Sequence, residues 1–280
     1  VRRGLSLCAH SVLPALGPYF VLSSLFVSLG FDRPVGRLLG PVFTRLTGVS
    51  GVGASAFFLG LLGGYPVGAR TLSQLYRSGR LTRWEAQRLL SFCNNAGPSF
   101  AVGILGLGCF HSLRAGAALY LIHVAAALLV ALLPVPRSSH ASLPSSLSSV
   151  PPRPPLSLLP ALVQAIASAT ALLQVCAFVV FFMALSALFS DITGLYHPLL
   201  LGFLELTGGA ARLGSGKADF IMAAAILGWG GLSVHGQTAA VLADTGLRLP
   251  PYLLCKALQA LLSPALAATL VSFLPFSALF

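Results

Sequence analysis

The sequence predicts an all-α integral membrane protein made of two inverted repeats, each with three membrane-crossing helices, a re-entrant helical hairpin and a broken helix. Three observations predict it. Of the 280 residues, 56% are hydrophobic and only 8% charged, with a mean hydropathy of +0.89, whereas soluble domains run near a quarter charged. Apolar stretches of the ~20 residues needed to cross a bilayer recur along the whole chain. Gly- and Pro-containing breaks interrupt those stretches at related positions in two halves, the pattern that points to a binding site in secondary transporters.

Val1-Arg2-Arg3 ahead of an apolar run has the look of a signal peptide. No A-x-A-like cleavage site follows, and Pro14 and Pro18 interrupt the run, so it reads as an interfacial turn leading into a first membrane helix. Because the chain opens on Val1, its start is expected to have been trimmed. The apolar segments fall at 5–30, 51–76, 88–110, 114–134, 157–189, 198–211, 219–243 and 250–276. Between the fourth and fifth lies SSHASLPSSLSSVPPRPPL, whose Ser and Pro content reads as a solvated linker. The expected organisation is therefore a first repeat at 1–137, a linker at 138–156 and a second repeat at 157–280.

The halves correspond in the order of their segments more than in residue identity. GLLGGYPVGA (60–69) has a counterpart in GFLELTGGA (202–210), and SFCNNAGPSF (91–100) in GWGGLSVHGQ (228–237). Gly63–Gly68 cannot continue a helix, because Pro66 lacks a donor and the glycines favour other dihedrals. Irregular backbone at membrane depth is tolerated only beside protein or a water-filled cavity. The same holds for Asn94–Pro98, Thr207–Gly209 and Gly228–Gly231. Segment 198–211 is too short to span, so it reads as a hairpin entering and leaving on one face, and 51–76 reads likewise with its tip at Gly64–Gly68. Three true crossings per half would invert the repeats. Counting Arg residues on each side does not separate this topology from one of eight spans.

The formal charge is +11, from seventeen Lys and Arg against six acids. In a membrane chain such clusters anchor segments on the cytoplasmic face, so no nucleic-acid partner is expected. The five cysteines are scattered, without metal-site or disulfide spacing.

GGYPVGAR (63–70), LLSFCNNAGPSF (89–100), GFLELTGG (202–209) and WGGLSVHGQ (229–237) resemble the signature of the YlbJ-type sporulation integral membrane protein family. The resemblance covers nearly the whole chain. It implies membership of the nucleoside-recognition Gate superfamily, distantly similar to concentrative nucleoside transporters. It also implies a place in endospore formation, in delivery of dipicolinic acid across mother-cell or forespore-enveloping membranes. Set against that resemblance, the N-terminus is expected to lack an upstream helix of the family.

Broken helices offer unpaired backbone N–H groups and a positive dipole end, which suit carboxylates. Candidate substrate-binding residues are Gly64, Tyr65, Pro66 and Gly68 at the first tip, Thr207, Gly208 and Gly209 at the second, and the donors and acceptors Asn94, Asn95, Ser99, Ser233, His235 and Gln237 at the breaks. For each polar one the competing role is helix–helix hydrogen bonding. Arg70 follows the first tip, and its planar fork would match a substrate carboxylate, unless it snorkels or pairs with Glu205. Glu205 could carry a coupling proton, hold Arg70 or accept from tip N–H groups. Glu85, among Arg77, Arg80, Arg83 and Arg88, reads as a solvated helix face, and His111, His123 and His197 as packing or interfacial residues.

No paired carboxylates, metal pattern, nucleophile elbow or P-loop is present, so no enzyme, metal or cofactor is expected. The leading expectation is a transporter for a small polar solute, an anion of the dipicolinate kind, in contact with membrane lipid. A nucleoside-type transporter and a non-transporting sporulation membrane assembly protein are the alternatives, and homo-oligomerisation stays open.

Overall fold

The computed structural model describes residues 2–133 and 155–279. The linker expected at 138–156 lies outside the described residues except for its last two, as does the boundary at 137. Helix α1 (Gly4–Ser28) runs through Pro14 and Pro18 instead of stopping at them. Its Cys8–Val12 turn is π-wound just ahead of Pro14, and a wider turn eases the clash between a proline ring and the carbonyl four residues back.

The charged stretch between the first two apolar segments forms a helix of its own, α2 (Asp32–Thr47), ended by Gly48 at φ 74°. It meets α3 (Val52–Gly63) at 90°. Gly36 and Gly40 press on this corner so closely that a Cβ on Gly51 would sit 2.2 Å from the Gly36 carbonyl oxygen. α3 and α4 (Val67–Arg77) form the first hairpin. α5 (Arg83–Cys93) and the π-wound α6 (Ser99–Cys109) are the two arms of the first broken helix, and α7 (Leu113–Leu132) follows unbroken. In the second half α8 (Leu158–Ser168) and α9 (Ala171–Thr193) make one long apolar run. α10 (Pro198–Leu204) and α11 (Leu206–Ala210) form the second hairpin, α12 (Lys217–Trp229) and α13 (Leu232–Leu242) the second broken helix, and α14 (Leu249–Phe273) closes the fold. The order of long helix, hairpin, broken helix and long helix thus recurs, with α2 as an insertion in the first half.

Among the described residues, five helices are long and apolar enough to cross a membrane, or six if the bent α2–α3 pair is counted. Large apolar side chains such as Leu254 and Leu261 are 72% and 70% exposed, as lipid-facing positions require.

Two ends of the molecule can be told apart. At one, the segment from Arg77 to Arg88 holds the carbonyl ends of several helices. Arg80 pairs with buried Asp32 and donates to the Val27 carbonyl at 2.9 Å. Arg83 donates to the Gly246 carbonyl, Gln87 and Arg248 bond each other, and Arg88 donates to the carbonyls of Ala131 and Leu133. The solvated face expected here holds for Arg77 and Arg83, which are exposed, but not for Arg88, which is buried and closes the end of α7. Glu85 forms a capping box with Thr82 and accepts from the Ser50 N–H at 2.9 Å, satisfying donors that a helix start leaves open. At the other end, Cys109 meets the Ala210 carbonyl and Ser112 the Leu279 carbonyl. The foot of the first hairpin lies at the basic end, where the Ser50 N–H meets Glu85, and Ala210 at the end of the second hairpin meets Cys109.

The breaks are tighter than the sequence suggests. The first tip is Gly64-Tyr65-Pro66, and Gly68 already lies in α4. The second tip is Glu205 itself, and Thr207, Gly208 and Gly209 lie in α11. The Glu205 carboxylate accepts from the Gly208 N–H at 2.7 Å and from the Thr207 hydroxyl, which starts a helix where glycines alone would not. In α12–α13 the break is confined to Gly230 and Gly231, both at φ 88°.

Candidate functional site

The two tips and the two breaks meet. The Tyr65 hydroxyl donates to the Leu227 carbonyl at 3.1 Å. A Cβ on Gly64 would lie 2.9 Å from the Gly97 nitrogen, and one on Gly231 would lie 3.0 Å from the Leu206 nitrogen. Beside this junction is a cavity of about 490 Å³, within the range of small-molecule sites. Gly64, Tyr65, Ser99, Glu205, Thr207 and Gln237 line it, and its remaining lining is mostly apolar, much of it from α1, with Phe100 and Ile104 of α6 and Val175 and Val179 of α9. Its ionisable lining groups, among the described residues, are His10, Tyr65 and Glu205.

The other expected residues lie behind this wall or away from it. Asn94 donates to the Thr238 hydroxyl at 2.9 Å and to the Tyr252 hydroxyl at 3.2 Å. The Asn95 amide donates to the Phe92 carbonyl at 2.7 Å, and its oxygen accepts from Gln259. Nδ1 of His235 meets the Tyr252 hydroxyl at 3.1 Å, its ring edge-on to Trp229. Ser233 accepts from Gln237. Gly68 and Gly209 are close-approach points: a Cβ would come within 2.0 Å of the Cys93 carbonyl oxygen and 2.4 Å of the Gly202 Cα, respectively. Pro66 is the residue from which α4 starts, and Gly208 supplies the N–H to Glu205. Arg70 is not among the cavity-lining residues; its guanidinium stands 4.7 Å from the Phe20 ring centroid.

At the centre of the polar layer is a residue to which the sequence reading gave no role. Lys256, 1% exposed, donates to the Tyr65 hydroxyl at 2.9 Å, to the Asn94 carbonyl at 3.3 Å and to Gln259 Oε1 at 2.6 Å. Gln259 in turn donates to Asn95 and to the His123 carbonyl. His123, expected as a packing residue, is buried, and its Nε2 accepts from the Ala96 N–H at 3.0 Å within the break. The signal for α14 was present in the sequence. Tyr252, Lys256, Gln259 and Ser263 recur at spacings of four, three and four, and all are buried, which is one polar stripe on a helix that must otherwise face lipid.

Broken helices and hairpins around a central cavity define a multi-pass helical membrane protein, with its polar groups facing inward. No family model and no solved structure matches the chain. It is 29% identical over 301 aligned residues to the sporulation integral membrane protein YlbJ of Bacillus subtilis (strain 168), a match covering 92% of this chain and 73% of that protein. The chain is thus similar to a YlbJ-type sporulation integral membrane protein, of the family its motifs resemble.

Proposed function

We propose that the chain transports a small polar solute across a membrane, with an aromatic dicarboxylate such as dipicolinate as the substrate class and endospore formation as the setting. One observation carries the reading: both hairpin tips and the first helix break line one cavity of about 490 Å³, and Val234 and Gln237 line it just past the second break. In this reading the hairpins open toward opposite ends, and with the recurring segment order they support inverted repeats and alternating access by displacement of the hairpin-bearing units. Ser99 and Gln237 on the cavity wall offer neutral donors and acceptors, which suit a solute that must lose its hydration in transit. The dicarboxylate itself rests on the resemblance of the motifs, and so does the location in mother-cell or forespore-enveloping membranes.

A second reading, transport of a nucleoside-like solute, is favoured by Glu205 at the second tip, where a carboxylate could hold ribose hydroxyls. Purified protein in proteoliposomes, offered radiolabelled dipicolinate and a radiolabelled nucleoside, separates the readings. Saturable dipicolinate uptake that excess nucleoside leaves intact is the expected result. Nucleoside uptake would establish the second reading, and binding of neither would leave a membrane assembly role.

A further inference from the structure

We propose that Lys256 is the countercharge for the transported anion, and that Tyr65 screens it from the cavity in the state described here. The assignment rests on the transport reading above. A lysine ammonium at membrane depth is costly, and such residues persist where a substrate or ion path uses them. A cation needed only for packing would be replaced at gain by an apolar residue of similar volume. Lys256 bonds three neutral acceptors, Tyr65, Asn94 and Gln259, and pairs with no carboxylate among the described residues. Its charge is therefore solvated by dipoles but not neutralised.

Among the described residues, the cavity's own wall carries no lysine or arginine, only His10. Glu205 faces it and is engaged by Thr207 and the Gly208 N–H. A carboxylate substrate entering there would be repelled by Glu205 unless a cation lay within reach. Tyr65 belongs to both places: it lines the cavity, and its hydroxyl is 2.9 Å from the Lys256 ammonium. A substrate carboxylate that took the hydroxyl's place would exchange a neutral acceptor for a charged one, a stronger bond. The same hydroxyl also donates to the Leu227 carbonyl in the second broken helix. Its displacement would loosen the first hairpin tip from the second half, so anion capture and tip movement are one event.

The test is equilibrium binding of dipicolinate and of its uncharged diamide to purified protein. Lys256→Met should weaken dipicolinate binding by roughly ten- to hundredfold while leaving the diamide within about threefold. Tyr65→Phe, which removes the screening hydroxyl and keeps the ring, should strengthen dipicolinate binding relative to the diamide. Equal loss of both ligands in Lys256→Met would make Lys256 a structural staple, and unchanged binding of both would remove it from the site; either overturns the proposal. Where Lys256→Met does not fold, Tyr65→Phe decides, and no relative gain for dipicolinate there also overturns it. Wild-type protein that binds neither ligand would instead bring down the transport reading, and this assignment with it.

Discussion

In the first half the chain leaves the helix over Asn94–Gly97, and side chains from other elements take up the freed backbone groups: His123 accepts from the Ala96 N–H, and Lys256 donates to the Asn94 carbonyl. In the second half two glycines at φ 88° make the turn, and what lies against them is the Tyr65 ring and the backbone at Glu205 and Leu206. The tips divide the work the other way. The first is a Gly-Tyr-Pro turn, and the second is fixed by the Glu205 side chain on its own backbone. Each half thus pairs one rigid, side-chain-held element with one made by backbone geometry. Charge and side-chain hydrogen bonding collect on the first break, and the second rests on its glycine dihedrals.

The comparison presumes that the hairpins open toward opposite ends, and labelling gives an all-or-none answer. Single cysteines at Arg83 and Arg248 should react with an impermeant reagent from one side, and those at Arg212 and Lys217 from the other. Arg83 and Arg248 are preferable to Arg80, which is buried against Asp32. Reaction of all four from the same side would remove the two-ended arrangement.

Next in size are the close approaches. Gly60 and Gly68 flank the Cys93 carbonyl, and a Cβ on either would come within 2.1 Å and 2.0 Å of it. Gly68→Leu should abolish transport while membrane insertion persists, because α5 ends at that carbonyl and cannot move away. Gly209→Leu presses instead on Gly202 and Pro198 of its own hairpin. Those arms can splay, so it should retain some uptake in the same assay. Equal loss in both variants would mean that the halves tolerate distortion alike.

Smaller differences sharpen the contrast between the breaks. His123→Ala strips the acceptor from a buried N–H and should cost about 1–3 kcal/mol, read as a lower unfolding temperature in detergent. Gly230→Ala must hold a left-handed backbone and should cost about 1–2 kcal/mol by the same measurement. Gln at 123 can still offer an oxygen, so His123→Gln should recover part of the loss, whereas no side chain other than Gly should recover position 230. Rescue at 230 would show that the second break does not depend on its dihedrals.

Much of the architecture was legible because membrane helices write their limits in composition. Segment order, both broken helices and both hairpins follow from where glycine and proline interrupt apolar runs. The tips were placed too broadly, since Gly68 and Gly209 serve close packing, and packing leaves the same glycines in a sequence as turning does. α2 was missed because Asp32, Arg33, Arg37 and Arg45 break up any apolar run, and the fit of its Gly36 and Gly40 to Gly51 is a tertiary fact. At the site, Asn94, Asn95 and Tyr65 stood in recognisable motifs, whereas Lys256 and His123 sit alone in apolar runs. The stripe from Tyr252 to Ser263 becomes visible only when α14 is read for polar residues at helical spacing.

Arg70 gives the finest test of where the first half keeps its charge. The sequence makes it a natural partner for a carboxylate, directly after the tip and within the family motif. In the fold it follows the buried first turn of α4, with its guanidinium over Phe20 and outside the lining of the cavity. A cation–π contact of this kind contributes about 0.5–2 kcal/mol. Arg70→Gln should therefore lower the unfolding temperature modestly and leave dipicolinate affinity within about threefold of wild type, a change of less than about 1 kcal/mol. Arg70→Lys keeps a charge that can still approach the Phe20 ring, and should restore most of the stability. A loss of dipicolinate affinity in Arg70→Gln as large as that in Lys256→Met, with diamide binding intact, would place Arg70 on the substrate path. Arg70 would then add a first-half cation to Lys256 of α14, and the contrast between a first break held by side chains and a second turned by glycines would extend to the hairpin tip as well.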